Sequence, residues 1–323
     1  MLLRQNGRHL PFAEVDPAFR YDVLNGLSIR PRAIPARWLY DRSGAELFEA
    51  ITTLPEYYPT RTEHAILSDA ASEIAALTGP VRAVVEFGSG SSAKTPILLS
   101  AVNPSAYVPI DICIDVLWRS VQRLSDTFPN LGIYPVEGDF TGELRLPAAL
   151  KGMPRLGFFP GSTVGNLLVA AAVDLLRSMA ATLGAGTMLL IGIDRLKDAD
   201  VLLPAYDDAQ GVTAAFNLNL LHRINRELGG SAPVDAFRHL VRWNDAEARI
   251  EMHLEAVRDV YFAVQGRHFF FMAKGETIHT ENSLKYGPRD AGVLLRAGGW
   301  TPIADWTDPD ELFSVILARE GAA

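Results

Sequence analysis

The sequence predicts an α/β protein: a sheet of mainly parallel strands with helices on both faces, carrying a second, α+β unit inserted into it. Three observations predict this. Strand-like and helix-like segments alternate over residues 81–195, which is the signature of a parallel sheet. The alternation opens on an apolar run, Val84-Val85-Glu86-Phe87, that stops at the glycine turn Gly88-Ser89-Gly90 ahead of a helical pattern. It breaks over residues 196–286 and then resumes to the end of the chain.

Residues 1 to about 60 precede the first strand of that sheet and are patterned rather than tail-like. Trp38, Leu39 and Tyr40 cluster, and residues 44–51 place Leu47, Phe48 and Ile51 on one face of a helix. The stretch Leu54-Pro-Glu-Tyr-Tyr-Pro-Thr-Arg-Thr-Glu63 is a proline-bracketed aromatic turn. Pro59 is expected to keep Tyr58 out of helical geometry, with Thr62 capping a helix from about 63 to 77. Strands are expected at 81–87, 106–110, 132–136, 156–159 and 188–193, and helices at about 95–102, 114–127, 142–150 and 168–183. Beyond residue 196 come a leucine-rich helix, 218–228, ended by Gly229-Gly230, then strand-like alternation at 249–258 and 261–273. A helix at 289–297, a strand at 300–306, a short polar turn and a last strand at 312–318 close the chain. So short a turn makes the final two strands antiparallel neighbours. The domains read as 61–195 plus 287–323 and 1–60 plus 196–286.

A chain of 323 residues, 48% hydrophobic and 21% charged, has the balance of a soluble globular protein large enough for two domains. Its net charge of −8 argues against nucleic acid or an anionic membrane as partner. No apolar run is long enough to span a bilayer and the N-terminus lacks a signal-peptide core, so a cytoplasmic protein is expected; a monomer is expected as well. The single cysteine, Cys113, sits in an apolar run and reads as a buried, inert thiol. The seven histidines (His9, His64, His222, His239, His253, His268 and His279) form no His-x-x-x-His pair. No metal is expected.

In a parallel sheet, ligands sit beyond the carboxyl ends of the strands. Those ends carry Glu86 with the glycine turn, Asp111, Asp139-Phe140, Gly161-Ser-Thr-Val-Gly-Asn166 and Asp194. The glycine turn alone fits a plain βα corner, a dinucleotide site or an S-adenosylmethionine site. Asp111, about 20 residues past the turn, stands where a ribose-diol acceptor is expected. Asp139 can accept from an adenine amine with Phe140 on the ring.

At this point the residues resemble a known family. Glu86 with the glycine turn, Asp111, Asp139-Phe140 and the closing antiparallel strands are similar to class I S-adenosylmethionine-dependent methyltransferases, whose Rossmann-like sheet has seven strands, the last antiparallel. More narrowly, Tyr40-Asp41, the block 54–63, Gly161 to Asn166, Ala205-Tyr-Asp-Asp-Ala and Glu281-Asn-Ser283 resemble the histidine Nα-methyltransferases that begin ergothioneine biosynthesis. The resemblance runs over nearly the whole chain. It implies a methyltransferase domain and a substrate domain, with S-adenosylmethionine as methyl donor, no metal, and L-histidine trimethylated to hercynine. It implies cofactor contacts at Gly88, Lys94, Asp111, Asp139, Phe140 and Gly161, with Lys94 meeting the methionine carboxylate. Asn166 and Tyr206 match residues binding the substrate carboxylate, and Tyr57 a tyrosine of the same pocket. Glu281 and Ser283 match the pair that recognises the imidazole, with Met252 lining it. Tyr40 and Phe48 match residues near the reacting amine, Tyr40 being the candidate proton acceptor. Asn282, where relatives tolerate an apolar residue, joins the substrate set if it faces the ligand, although alternation along a strand turns it away. The competing readings are a relative acting on another amino acid, an NAD-binding oxidoreductase and a silent binding protein. No hydride-transfer residues support the second, and the complete pocket set speaks against the third.

Overall fold

The structure, a computed structural model, describes residues 3–5 and 8–10 by their backbone, and residues 16–142 and 144–321. The chain forms two compact units. The larger comprises Thr52–Asp198, Ala246–Arg249 and Ser283–Ala323, and the smaller Met1–Ile51, Ala199–Asp245 and Ile250–Asn282. The expected boundaries differ from these at residues 52–60, 196–198, 246–249 and 283–286, all of which lie in the larger unit. No helix among the described residues is long and apolar enough to cross a membrane.

The larger unit is built on one sheet. Across it lie Trp300–Thr307, Phe313–Glu320, Met188–Asp194, Arg155–Phe159, Ala83–Phe87 and Ala106–Asp111, and the far edge is shared by Gly132–Ile133 and Val136–Glu137. The expected third strand is thus split into two short pieces, both parallel to Ala106–Asp111. Phe313–Glu320 runs antiparallel to both neighbours and the other pairings are parallel, so the predicted seven-position sheet with its last strand reversed is present. Successive side chains alternate between two cores. Val85, Phe87, Val108 and Ile191 pack with helix residues Leu175, Leu176 and Leu294 on one face. Val84, Tyr107, Phe158 and Leu190 pack with Ile66, Leu67, Leu98 and Leu99 on the other. Both faces are covered, which is why the central strands read as unbroken apolar runs.

Two expected helices are corrected. The helix expected from 63 starts at Tyr58 and runs to Thr78, with Pro59 in its first turn. There a missing N–H costs nothing and the fixed φ suits the helix, so Pro59 starts the helix instead of delaying it. Thr62 is buried inside that helix and caps nothing. The helix expected at 142–150 is only a turn, Ala148–Leu150, after Pro147. Proline removes a helical donor and keeps the preceding Leu146 extended; residue 143 of that stretch lies outside the described residues. The leucine-rich helix starts earlier than expected, at Val212, and a further helix, Ala199–Tyr206, precedes it with Pro204 inside.

The smaller unit has a four-stranded sheet, in the order Phe237–Asn244, Arg249–Ala256, Thr277–Leu284 and Arg32–Ala33, and a separate hairpin of Val260–Val264 with His268–Met272. The helices Arg42–Ile51 and Val212–Glu227 pack together, joined by the aromatic trio Tyr40, Phe48 and Phe216 with centroids 5.4–6.1 Å apart. Asp41 anchors that corner: its Oδ1 accepts from Gly44 N at 2.8 Å and Asn219 Nδ2 at 2.7 Å, and its Oδ2 from Arg226.

Candidate functional site

All six residues assigned to the cofactor lie in the larger unit, at the carboxyl ends of its strands. Gly88 leaves the first strand with φ +71°, a conformation that favours glycine, and a Cβ built there would stand 3.1 Å from Cε1 of Phe140. The bare backbone at Gly88 therefore faces an aromatic ring, which is the form a flat ligand beside a close-approach turn requires. Asp111 holds the turn from below: its Oδ2 accepts from Gly90 N at 2.7 Å and its Oδ1 from Cys113 N at 2.8 Å. Burial raises its pKa above the ordinary carboxylate value while these amides oppose the rise. Each oxygen has a further lone pair, so holding the turn and accepting from a diol are compatible roles. Asp139 Oδ1 accepts from the backbone and hydroxyl of Thr141 at 2.9 and 2.6 Å, an Asx-type turn that aims the following Phe140. The Phe140 ring meets Phe159 edge-on, centroids 5.6 Å apart.

Lys94 and Gly161 are joined by a residue to which no role was assigned. Glu63 is fully buried; its carboxylate pairs with Lys94 Nζ and accepts from Gly161 N at 2.9 Å. Gly192 makes the room, since a Cβ there would lie 2.0 Å from Glu63 Oε1. Beneath the turn sits a second buried acid, Glu86, whose Oε2 accepts from Tyr107 at 2.5 Å and Thr95 at 2.8 Å. Burial pushes its pKa up to about 8 against those hydrogen bonds and the charge of Lys94.

The residues assigned to the substrate divide between the units. Tyr57, Asn166 and Ser283 belong to the larger one; Tyr40, Phe48, Tyr206, Met252, Glu281 and Asn282 belong to the smaller. Tyr57 is buried at the N-terminus of the Tyr58–Thr78 helix, and Asn166 is half-buried at the end of the turn Thr163–Asn166. Along Thr277–Leu284, Ile278 and Thr280 are buried, then Glu281 and Ser283. Thr280 and Glu281 are adjacent and both buried, as are Ser283 and Leu284, so both faces of this end of the strand are covered. Asn282, between the pair, is half-buried, and its Oδ1 is enclosed with no hydrogen-bond partner among the described residues.

Comparison with known proteins decides the family. Residues 19–320 match the family described as histidine-specific, S-adenosylmethionine-dependent methyltransferases. The histidine N-alpha-methyltransferase of Mycolicibacterium smegmatis is 42% identical over 93% of this chain and 94% of its own length. That of Mycobacterium tuberculosis is also 42% identical, over 94% and 95%. Ergothioneine biosynthesis protein 1 of Neurospora crassa is 27% identical over 90% of this chain and 33% of its own.

This chain belongs to the histidine-specific methyltransferase family.

In this methyltransferase, several residues that shape the site were not singled out from the sequence. Lys285, wholly buried, donates to Ser283 Oγ at 2.8 Å and to Asp194 Oδ2 at 2.6 Å. Lys197 donates to Asp194 Oδ1 at 2.7 Å, and Tyr58 OH donates to the same oxygen at 2.8 Å. Burial alone would raise the pKa of Asp194, but Lys285 and Lys197 outweigh it and hold the carboxyl below its ordinary value. Burial dominates for Lys197 and lowers its pKa. In the smaller unit His239 Nε2 donates to the backbone oxygen of Tyr206 at 2.8 Å, so its Nδ1 accepts from Asn217 at 2.9 Å. Burial lowers the pKa of this imidazole, which favours its neutral form. Cys113 is half-buried, less enclosed than expected, and burial raises its thiol pKa. Glu251, His253 and His279, for which no metal had been expected, stand together with ligand atoms within 4.8 Å of one another. The only sequence signal was Glu251-x-His253; His279 lies on another strand.

Proposed function

We propose that this methyltransferase moves three methyl groups in succession from S-adenosylmethionine to the α-amino nitrogen of L-histidine, giving hercynine, the first step of ergothioneine biosynthesis. The observation that carries the reading is the presence of Glu281 and Ser283, both buried on one strand, in a chain 42% identical to two histidine N-alpha-methyltransferases. A carboxylate and a hydroxyl suit the two nitrogens of one imidazole. A substrate without them would leave a buried polar group unpaired, at a cost of about 1–3 kcal/mol.

In this reading the Gly88 turn, Asp111 and Asp139 with Phe140 hold the ribose and adenine of the donor, and Lys94 with Gly161 faces its carboxylate. The donor supplies an electrophilic methyl on a sulfonium. The chain's contribution is alignment: Asn166, Tyr206 and Tyr57 hold the amino acid's carboxylate end, while Glu281, Ser283, Asn282 and Met252 fix the ring, so that the neutral amine points along the S–CH3 axis. The phenol of Tyr40 is the candidate to take the proton lost from nitrogen, directly or through water. Tyr40 and Phe48 offer ring faces to the growing cation, an attraction of about 0.5–2 kcal/mol.

Mass spectrometry after incubation with S-adenosylmethionine and a panel of free amino acids tests the reading. Trimethylated histidine should accumulate while phenylalanine, tryptophan and asparagine stay unmodified. Monomethylhistidine as the only product under excess donor, or an equal rate on tryptophan, would refute it.

A further inference from the structure

We propose that Glu251, His253 and His279 form a binding site for a divalent transition metal of the zinc type, within the smaller unit. Glu251 and His253 are two residues apart on the strand Arg249–Ala256, so both project to one side. His279 comes from the neighbouring strand Thr277–Leu284, and its ring stacks on that of His253 with centroids 4.8 Å apart and planes 23° from parallel. Two imidazoles and one carboxylate are a known donor set of catalytic zinc sites.

Two features favour a metal over a plain polar cluster. First, His279 Nε2 lies 3.0 Å from the backbone oxygen of Glu281. A carbonyl only accepts, so Nε2 carries the proton and Nδ1 keeps its lone pair. A second nitrogen tied to a backbone carbonyl is the usual state of a metal-bound histidine. Second, His253 is 5% exposed, and its Nδ1 is buried with no hydrogen-bond partner among the described residues. An enclosed nitrogen without a partner costs about 1–3 kcal/mol, which a ligand bond would offset.

Glu251 Oε2 stands 3.1 Å from His253 Nε2, so for Nδ1 to take the metal the Glu251 carboxylate must turn away from Nε2 toward it. The widest separation in the trio, up to 4.8 Å, must shorten by rotation of a side chain. A water would complete the shell. The site has no part in the proposed methyl transfer, but His279 bonds the carbonyl of Glu281, so occupancy would stiffen the strand that carries it.

The test uses the full chain, stripped with chelator, in zinc titration calorimetry and in cobalt(II) absorption, where tetrahedral coordination gives intense visible bands. One zinc per chain is expected, with such bands from cobalt. Glu251→Gln and His279→Gln, at half-buried positions, should each weaken binding by at least about tenfold, the lower end of what outer-shell changes alone cause. The exposed His222→Ala should bind as the parent does. His253→Gln should abolish binding; if it does not fold, His279→Gln decides. Absence of stoichiometric zinc binding by the parent, or undiminished affinity in His279→Gln, would overturn the proposal.

Discussion

Replacing Glu86 by glutamine should change how stability depends on pH. The carboxyl is buried beneath the glycine turn with a folded-state pKa near 8, against 4.5 for an ordinary glutamate. Between these values the folded chain holds a proton that the unfolded chain has released, so unfolding becomes easier as pH rises. The stabilisation is complete below the unfolded pKa and gone once pH passes the folded one. At 1.36 kcal/mol per unit, a shift of roughly 3.5 units amounts to a ceiling of about 5 kcal/mol. Glutamine keeps an oxygen to accept from Tyr107 and Thr95 and cannot ionise. Urea denaturation of both proteins at pH 5, 6.5 and 8 measures the difference. The parent should lose several kcal/mol relative to Glu86→Gln over that range. A difference that stays flat, or grows in the parent's favour with pH, would show that Glu86 is ionised in the folded state and that the hydrogen bonds from Tyr107 and Thr95 outweigh burial.

Gly88→Ala places a Cβ against Phe140 at φ +71°; it should cost about 1–2 kcal/mol of stability and weaken S-adenosylmethionine binding in calorimetry by tenfold or more, and unchanged affinity would refute the close-approach role. Lys285→Met leaves Asp194 with one buried cation instead of two, so a loss of about 3–5 kcal/mol is expected in denaturation at pH 7. Because the pKa of Asp194 is lowered on folding, its contribution is present above the ordinary aspartate pKa and fades as pH falls, and the Lys285→Met deficit should shrink toward pH 3. Glu281→Ala should lower kcat/KM for histidine at least tenfold and narrow its preference over phenylalanine; retained discrimination would remove Glu281 from imidazole recognition.

The sheet was legible because its central strands are buried on both faces and written as apolar runs, with glycine or acid where a run ends. That is why Gly88, Asp111 and Asp139 stand out at strand ends as candidates. Pro59 was misread because the same residue can start a helix or delay one, and only the packing of Tyr58 and Thr62 distinguishes the two. Glu63 and Gly192 are 129 residues apart, and neither means anything without the other: the glycine is there because a carboxylate fills the space of its side chain. Nothing in the sequence around Lys285 signals its burial, and only the fold brings Asp194 to it. The three-residue cluster at Glu251 escaped for the same reason, since strand neighbours far apart in sequence leave no spacing to read.

The ammonium of Lys94 is already neutralised before any ligand arrives, because Glu63 is its buried counter-ion. If Lys94 faces the donor's carboxylate as proposed, that carboxylate would meet a nearly neutral pair instead of a bare cation and would share Lys94 with Glu63. The attraction is thereby capped. For a catalyst proposed to run three transfers per product, that cap is an advantage: spent donor carries the same carboxylate as fresh donor, and a grip strong enough to hold one indefinitely would trap the other. On that reading Glu63 would be a built-in rival that keeps exchange fast.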